Sequence, residues 1–133
     1  MHYQPQKNLL QNRIILVTGA SDGIGREAAL TYAEYGASVI LIGRNEEKLK
    51  GVAQEIEAAG GTLAAWYTLD LLTCTPEVCQ ELAQRISTRY PVLDGVLHNA
   101  GLLGDVCPMD EQDPDTWQQV MQVNVNGTFF LTQ

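Results

Sequence analysis

Basic residues are scarce in this chain. Eight Lys and Arg stand against sixteen Asp and Glu, for a formal net charge of −8, and the few cations are scattered. Nucleic-acid binding needs clustered Lys and Arg to displace counterions, so no nucleic-acid partner is expected. Cysteine is also sparse. Cys74, Cys79 and Cys107 are odd in number and lack CxxC spacing, which argues against a disulfide framework and a structural zinc site. Free thiols of a cytoplasmic protein are the expectation. No apolar run approaches the roughly 20 residues of a membrane span, and the opening MHYQPQKNLLQNR has no apolar segment of a secretory signal. No membrane partner is therefore expected.

What is present is an ordinary globular mix, 45% hydrophobic and 18% charged, in 133 residues. That length fits one domain or a large piece of one. There is no internal repeat. Short apolar runs alternate with amphipathic stretches. Residues 13–17 (RIILV) read as a first strand, and a glycine-rich turn follows. Residues 26–35 then favour helix, with Gly36 as its stop. Residues 38–42 (SVILI) read as the second strand. Asn45 can cap the next helix, with Glu46 and Glu47 in its first turn and Leu49, Val52, Ala53 and Ile56 at helical spacing. Residues 62–69 read as a third strand and 92–97 as a fourth. Thr75-Pro76 and Asp113-Pro114 each form an N-cap and first-turn pair opening a helix. The last helix carries Trp117, Val120, Met121, Asn124 and Thr128 on one side, read as inward-facing.

This β-α-β-α-β-α-β-α order predicts an α/β fold of Rossmann type, a doubly wound parallel sheet. The expected strand order is 3-2-1-4, with a ligand crevice between the first and fourth strands. Residues 1–12 read as an extension and 13–133 as the domain. Gln133 falls in a helical run with no stop signal and no further strand, so the chain reads as a truncated part of a longer polypeptide.

The most informative segment is TGASDGIG, residues 18–25, between the first strand and the first helix. Gly19 permits a tight turn, Gly23 lets the backbone approach a pyrophosphate, and Gly25 lets the helix pack on the strand. The free N–H groups of the helix N-terminus then hold phosphate. Ser21, Asp22 and Ile24 belong to the same loop and are expected at the nucleotide with it.

The loop resembles the TGxxxGxG fingerprint of the short-chain dehydrogenase/reductase family. His98-Asn99-Ala100-Gly101 resembles the family's NNAG, Asp70 in LDLL its Asp after the third strand, and Asn124-Val125-Asn126-Gly127 its N-[LV]-x-G helix motif. The four motifs stand in family order and cover the chain from Arg13 onward. The resemblance implies an oxidoreductase that moves a hydride between a nicotinamide nucleotide and a small-molecule carbonyl or alcohol. It implies that Asp70 binds the adenine amino group, that Leu71 offers a backbone N–H to the ring, and that Asn99, Ala100 and Gly101 line the adenosine ribose. It also implies a subunit interface on the last helix, hence a homo-oligomer.

The second strand ends in Gly43 and Arg44, where an NAD-selecting carboxylate would stand. A guanidinium binds a 2′-phosphate bidentately, and Ser21 can add a hydroxyl donor, so NADP(H) is the expected cofactor. Of the family's catalytic residues only the Asn has a match, Asn124. The Ser and the YxxxK pair belong after a fifth strand that this chain lacks. Tyr3 and Lys7 spell YxxxK, but they precede the first strand and Pro5 interrupts them. His98 departs from the family's Asn and is expected to bond nearby backbone. Two other readings stand beside the enzyme: a non-catalytic NADP(H)-binding regulatory domain, and a module whose last helix joins another chain.

Overall fold

A computed structural model of the chain, which describes residues 4–133, contains one four-stranded parallel sheet in the order β3-β2-β1-β4. The strands are β1 (Ile14–Thr18), β2 (Ser38–Gly43), β3 (Ala65–Thr68) and β4 (Gly95–Leu97). Helices α1 (Gly23–Glu34), α2 (Glu46–Ala58) and α3 (Pro76–Arg89) are the crossovers. Both central strands are buried on both faces. Val39 and Leu41 of β2 join the cluster under α1 and α2. Ile40 and Ile42, pointing the other way by the two-residue period of a strand, join the cluster under α3. Leu10, ahead of β1, packs on the first cluster, and its N–H donates to the Tyr35 carbonyl. Tyr3 lies outside the described residues.

Local chemistry accounts for the helix starts. Asn45 accepts from the Lys48 N–H at 3.0 Å, Thr75 from the Val78 N–H, and Asp113 from the Thr116 N–H at 2.8 Å. Three elements differ in extent from the sequence reading. Helix α1 begins at Gly23, three residues before the expected Arg26, because Asp22 caps it inside the glycine loop. The outer strands are shorter than their apolar runs. β4 pairs only through Ile15–Gly95, Leu16–Val96 and Val17–Leu97, and β3 only along the last four residues of β2.

The last helix departs most. It runs as α4 (Pro114–Met121), changes to π geometry over Gln122–Gly127, and resumes as α5 (Thr128–Thr132). The expected inward stripe is corrected here. No residue of α4 is buried, and Trp117, Met121, Val125 and Phe129 are exposed. The sheet side is met instead by Val123, Phe130 and Leu131.

Candidate dinucleotide site

The loops leaving the C-terminal ends of all four strands converge on a cleft of about 940 Å³, where the winding of the sheet reverses. The end of β1 builds its floor. Thr18 is buried, and its Oγ1 accepts from the N–H groups of Asn99 and Ala100, both at 3.0 Å, and donates to the Leu97 carbonyl. One hydroxyl thus pins the exit of β4 to the exit of β1. The Asn99 amide completes the clamp, donating to the carbonyls of Thr18 at 3.2 Å and Gly19 at 3.4 Å. Thr18 was not singled out from sequence. Its partners lie 79 to 82 positions away, and no local pattern announces them.

The three glycines answer different demands. Gly19 turns at φ +65. A Cβ on Gly25 would stand 2.3 Å from the Gly19 carbonyl oxygen and 2.4 Å from the Asn99 amide nitrogen. Gly25 therefore lets the helix sit on the loop and on β4's exit, where the sequence reading expected packing on the strand itself. Gly23 has φ +53 and nothing within 4 Å of its Cβ position. Its main chain is bare toward open space, as a phosphate-binding turn needs. The first helical N–H groups have no acceptor within the helix. One of them, that of Gly23, is taken by Asp22 Oδ1 at 2.9 Å.

One side of the cleft is walled by Ser21, Gly43, Arg44, Asp70 and Leu71, and the other by Asn99, Ala100 and Gly101. Gly19 and Asp22 also line it, whereas Gly23, Ile24, Gly25 and Asn124 stand outside its lining. A Cβ on Gly43 would lie 3.4 Å from Ser21 Oγ, so that hydroxyl sits beside the strand end that carries Arg44. Arg44 is exposed and forms no ion pair among the described residues. Asp70 Oδ1 accepts from the Leu72 N–H at 3.0 Å and shapes its own turn.

Folding adds one charge that linear inspection overlooked and pairs it with the Asp22 of the glycine loop. Lys48, from the first turn of α2, lines the cleft and bonds Asp22 Oδ2 at 2.7 Å. The end of β2 lacks a carboxylate, yet the glycine loop delivers one to the same cleft. The Lys48 hydrogen bond, with help from the Gly23 N–H, holds the Asp22 carboxyl below its ordinary range.

Two amides of the π segment tie down the cleft's rims. Asn124 Oδ1 accepts from the Leu102 N–H at 2.8 Å, and its Nδ2 donates to the Leu102 carbonyl at 2.9 Å. Gln122 Nε2 donates to the carbonyls of Leu71 and Cys74. Asn124 is thus an exposed side chain clamping the loop after β4. His98 is corrected as well. Its Nε2 meets the Thr132 hydroxyl at 3.0 Å, a side chain where backbone was expected. That hydroxyl spends its proton on the Thr128 carbonyl at 2.7 Å, so the imidazole donates from Nε2.

A parallel sheet wound 3-2-1-4, a glycine turn at its switch point and an open cleft above it define a dinucleotide-binding α/β protein. The short chain dehydrogenase family model matches residues 13–133, and the chain belongs to that family. It is 72% identical over all 133 residues to the oxidoreductase YciK of Escherichia coli strain K12, of which it spans 53%. A short chain dehydrogenase from Escherichia coli CFT073, solved in complex with NADPH, is 72% identical with a TM-score of 0.95. That match covers 97% of this chain and 54% of the other. A short chain dehydrogenase from Shigella flexneri 2a strain 301, solved with NADP, is 70% identical with a TM-score of 0.94, covering 96% of this chain and 54% of the other. The chain thus spans about half the length of the relatives it matches.

Proposed function

We propose that residues 13–133 are the nucleotide-binding half of a one-domain, NADP(H)-dependent oxidoreductase, with residues 1–12 as an N-terminal extension. Its reaction is hydride transfer between the nicotinamide and a small carbonyl or alcohol. The observation that carries the reading is the bare turn at Gly23, at the edge of a cleft whose β2 side presents Arg44 with no ion-pair partner among the described residues. The residues fit the nucleotide. Gly19 and Gly25 bring loop and helix together, the α1 N-terminus offers N–H groups to the pyrophosphate, and Ser21 and Arg44 are placed for a 2′-phosphate. Asp70 and Leu71 would border the adenine, and Asn99, Ala100 and Gly101 the ribose. The relatives solved with NADP and NADPH support the same assignment.

When bound, the nucleotide supplies the hydride donor or acceptor. This chain's residues bind and orient it. Asn124, by fixing Leu102, holds the loop that leaves the cofactor cleft, and it is proposed as a member of the catalytic group. The proton-transferring Tyr, its Lys and the Ser are proposed to lie in the remainder of the polypeptide, so this stretch alone would not turn over. The full protein is proposed to act in the cytoplasm as a homo-oligomer, with the exposed face of α4 and α5 in the subunit contact.

The test is Arg44→Ala in the full-length protein. NADPH binding should weaken by about 1–3 kcal/mol, the loss of charge-assisted hydrogen bonds, while NADH binding stays nearly unchanged. Equal losses for both nucleotides would remove the argument.

A further inference from the structure

We propose that Lys48 is a specificity-determining residue, a second cation for the adenosine 2′-phosphate, held over the cleft by Asp22 until nucleotide arrives. This rests on the NADP(H) reading above and names a residue that the glycine loop and the Arg44 position leave out.

The position of Lys48 is the first argument. It lies in the opening turn of α2, where the macrodipole disfavours a cation and favours the acids that precede it, Glu46 and Glu47. Those acids are committed elsewhere, since both pair with Lys50. Lys48 reaches away from its own helix, across 26 positions of sequence, to Asp22 at the start of α1. The pair stands in the same cleft as Ser21 and Arg44.

Charge is the second argument. The cleft carries two cations, Arg44 and Lys48, and two carboxylates, Asp22 and Asp70. A phosphate monoester bears close to two negative charges at neutral pH. Arg44 by itself meets only part of that, and Asp22 nearby opposes it. With Lys48 turned to the phosphate, two cations face two charges, and the capping role of Asp22 at Gly23 is untouched. The exchange is easy. Both side chains of the pair are more than half exposed, such pairs are weakly held, and the lysine stem is flexible. A 2′-hydroxyl carries no charge and gains nothing from the exchange, so the effect is confined to NADP(H).

The experiment uses the full-length protein and its Lys48→Gln and Arg44→Ala variants. NADPH and NADH dissociation constants are measured for each at fixed ionic strength. Gln keeps the helix and the Asn45 cap, which uses the main chain of residue 48. Lys48→Gln should weaken NADPH about tenfold and leave NADH within about twofold. Lys48→Arg should restore most of the NADPH affinity. Equal weakening of both nucleotides, or no weakening of either, overturns the proposal and leaves Lys48 a helix-bracing or solvated residue. If Arg44→Ala separates the nucleotides and Lys48→Gln does not, this inference alone fails. If neither variant separates them, the NADP(H) reading fails with it.

Discussion

Gly25→Ala is the smallest change that should break the cofactor cradle. The new methyl would fall 2.3 Å from a main-chain oxygen of Gly19, 2.8 Å from the carbon of that carbonyl and 2.4 Å from the Asn99 amide. Carbon needs about 3.5 Å from such atoms, so loop and helix must part by about 1 Å. Forced separation of packed elements costs about 1–3 kcal/mol. Displacing the Asn99 amide forfeits its bonds to Thr18 and Gly19, at about 0.5–1.5 kcal/mol each. The higher helix propensity of Ala returns up to about 1 kcal/mol. A net loss of about 1–6 kcal/mol, centred near 3, is expected, read as a lower urea midpoint at unchanged slope in the intact polypeptide. Gly23→Ala is the matched control. It collides with nothing, so its cost is the left-handed backbone alone, about 1–2 kcal/mol, yet it places a methyl on the open side of the turn. Gly25→Ala should therefore be the more damaging to stability, and Gly23→Ala should bind NADPH poorly while remaining the better folded of the two. A wild-type midpoint and wild-type NADPH affinity for Gly25→Ala would refute the reasoning, as would the reverse order of stability.

Three further outcomes follow from the same geometry. Thr18→Val keeps the shape but orphans the Ala100 N–H and leaves the Asn99 N–H only its bond to the Leu97 carbonyl, and should cost about 1–3 kcal/mol by chemical denaturation. Asp94 accepts from the Ile14 N–H at 2.8 Å and from Arg13 at 2.9 Å, which holds its carboxyl below the ordinary 3.8. A depressed folded-state pKa stabilises above the unfolded value and is lost as pH falls through the folded one. The stability advantage of wild type over Asp94→Asn should thus be full at neutral pH and vanish below pH 3.8, and a constant difference across the titration would contradict this. Burial pushes the Cys79 thiol up to about 11, so at pH 8 the half-buried Cys107 should alkylate first, with Cys74 and Cys79 following only on unfolding.

Much of the fold was legible because its determinants are local. The caps at Asn45, Thr75 and Asp113 act within three residues, and the strand order follows from the alternation of strands and helices. The glycine loop was legible because steric need leaves a residue type behind. Contacts across long stretches of chain were not. Thr18 reads as an ordinary strand residue until β4 is beside it, and Lys48 as a solvated helix lysine until α1 brings Asp22 within reach. The phase of the last helix was misjudged for a related reason. A regular 3.6-residue period placed Asn124 inward, whereas it lies in the π segment and bonds the Leu102 loop, and Gly127 at the end of that segment lies close against Leu71. The starts of β3 and β4 were set too early because Leu63, Val92 and Leu93, apolar in sequence, are exposed and join no ladder.

Calorimetric titration of the intact, unmutated polypeptide with NADPH and, separately, with NADH addresses the cradle and its phosphate contact together. One site per chain is expected, with NADPH bound at least about tenfold more tightly, the worth of one charge-assisted contact. No binding of either nucleotide, or NADH bound as tightly as NADPH, would contradict the account.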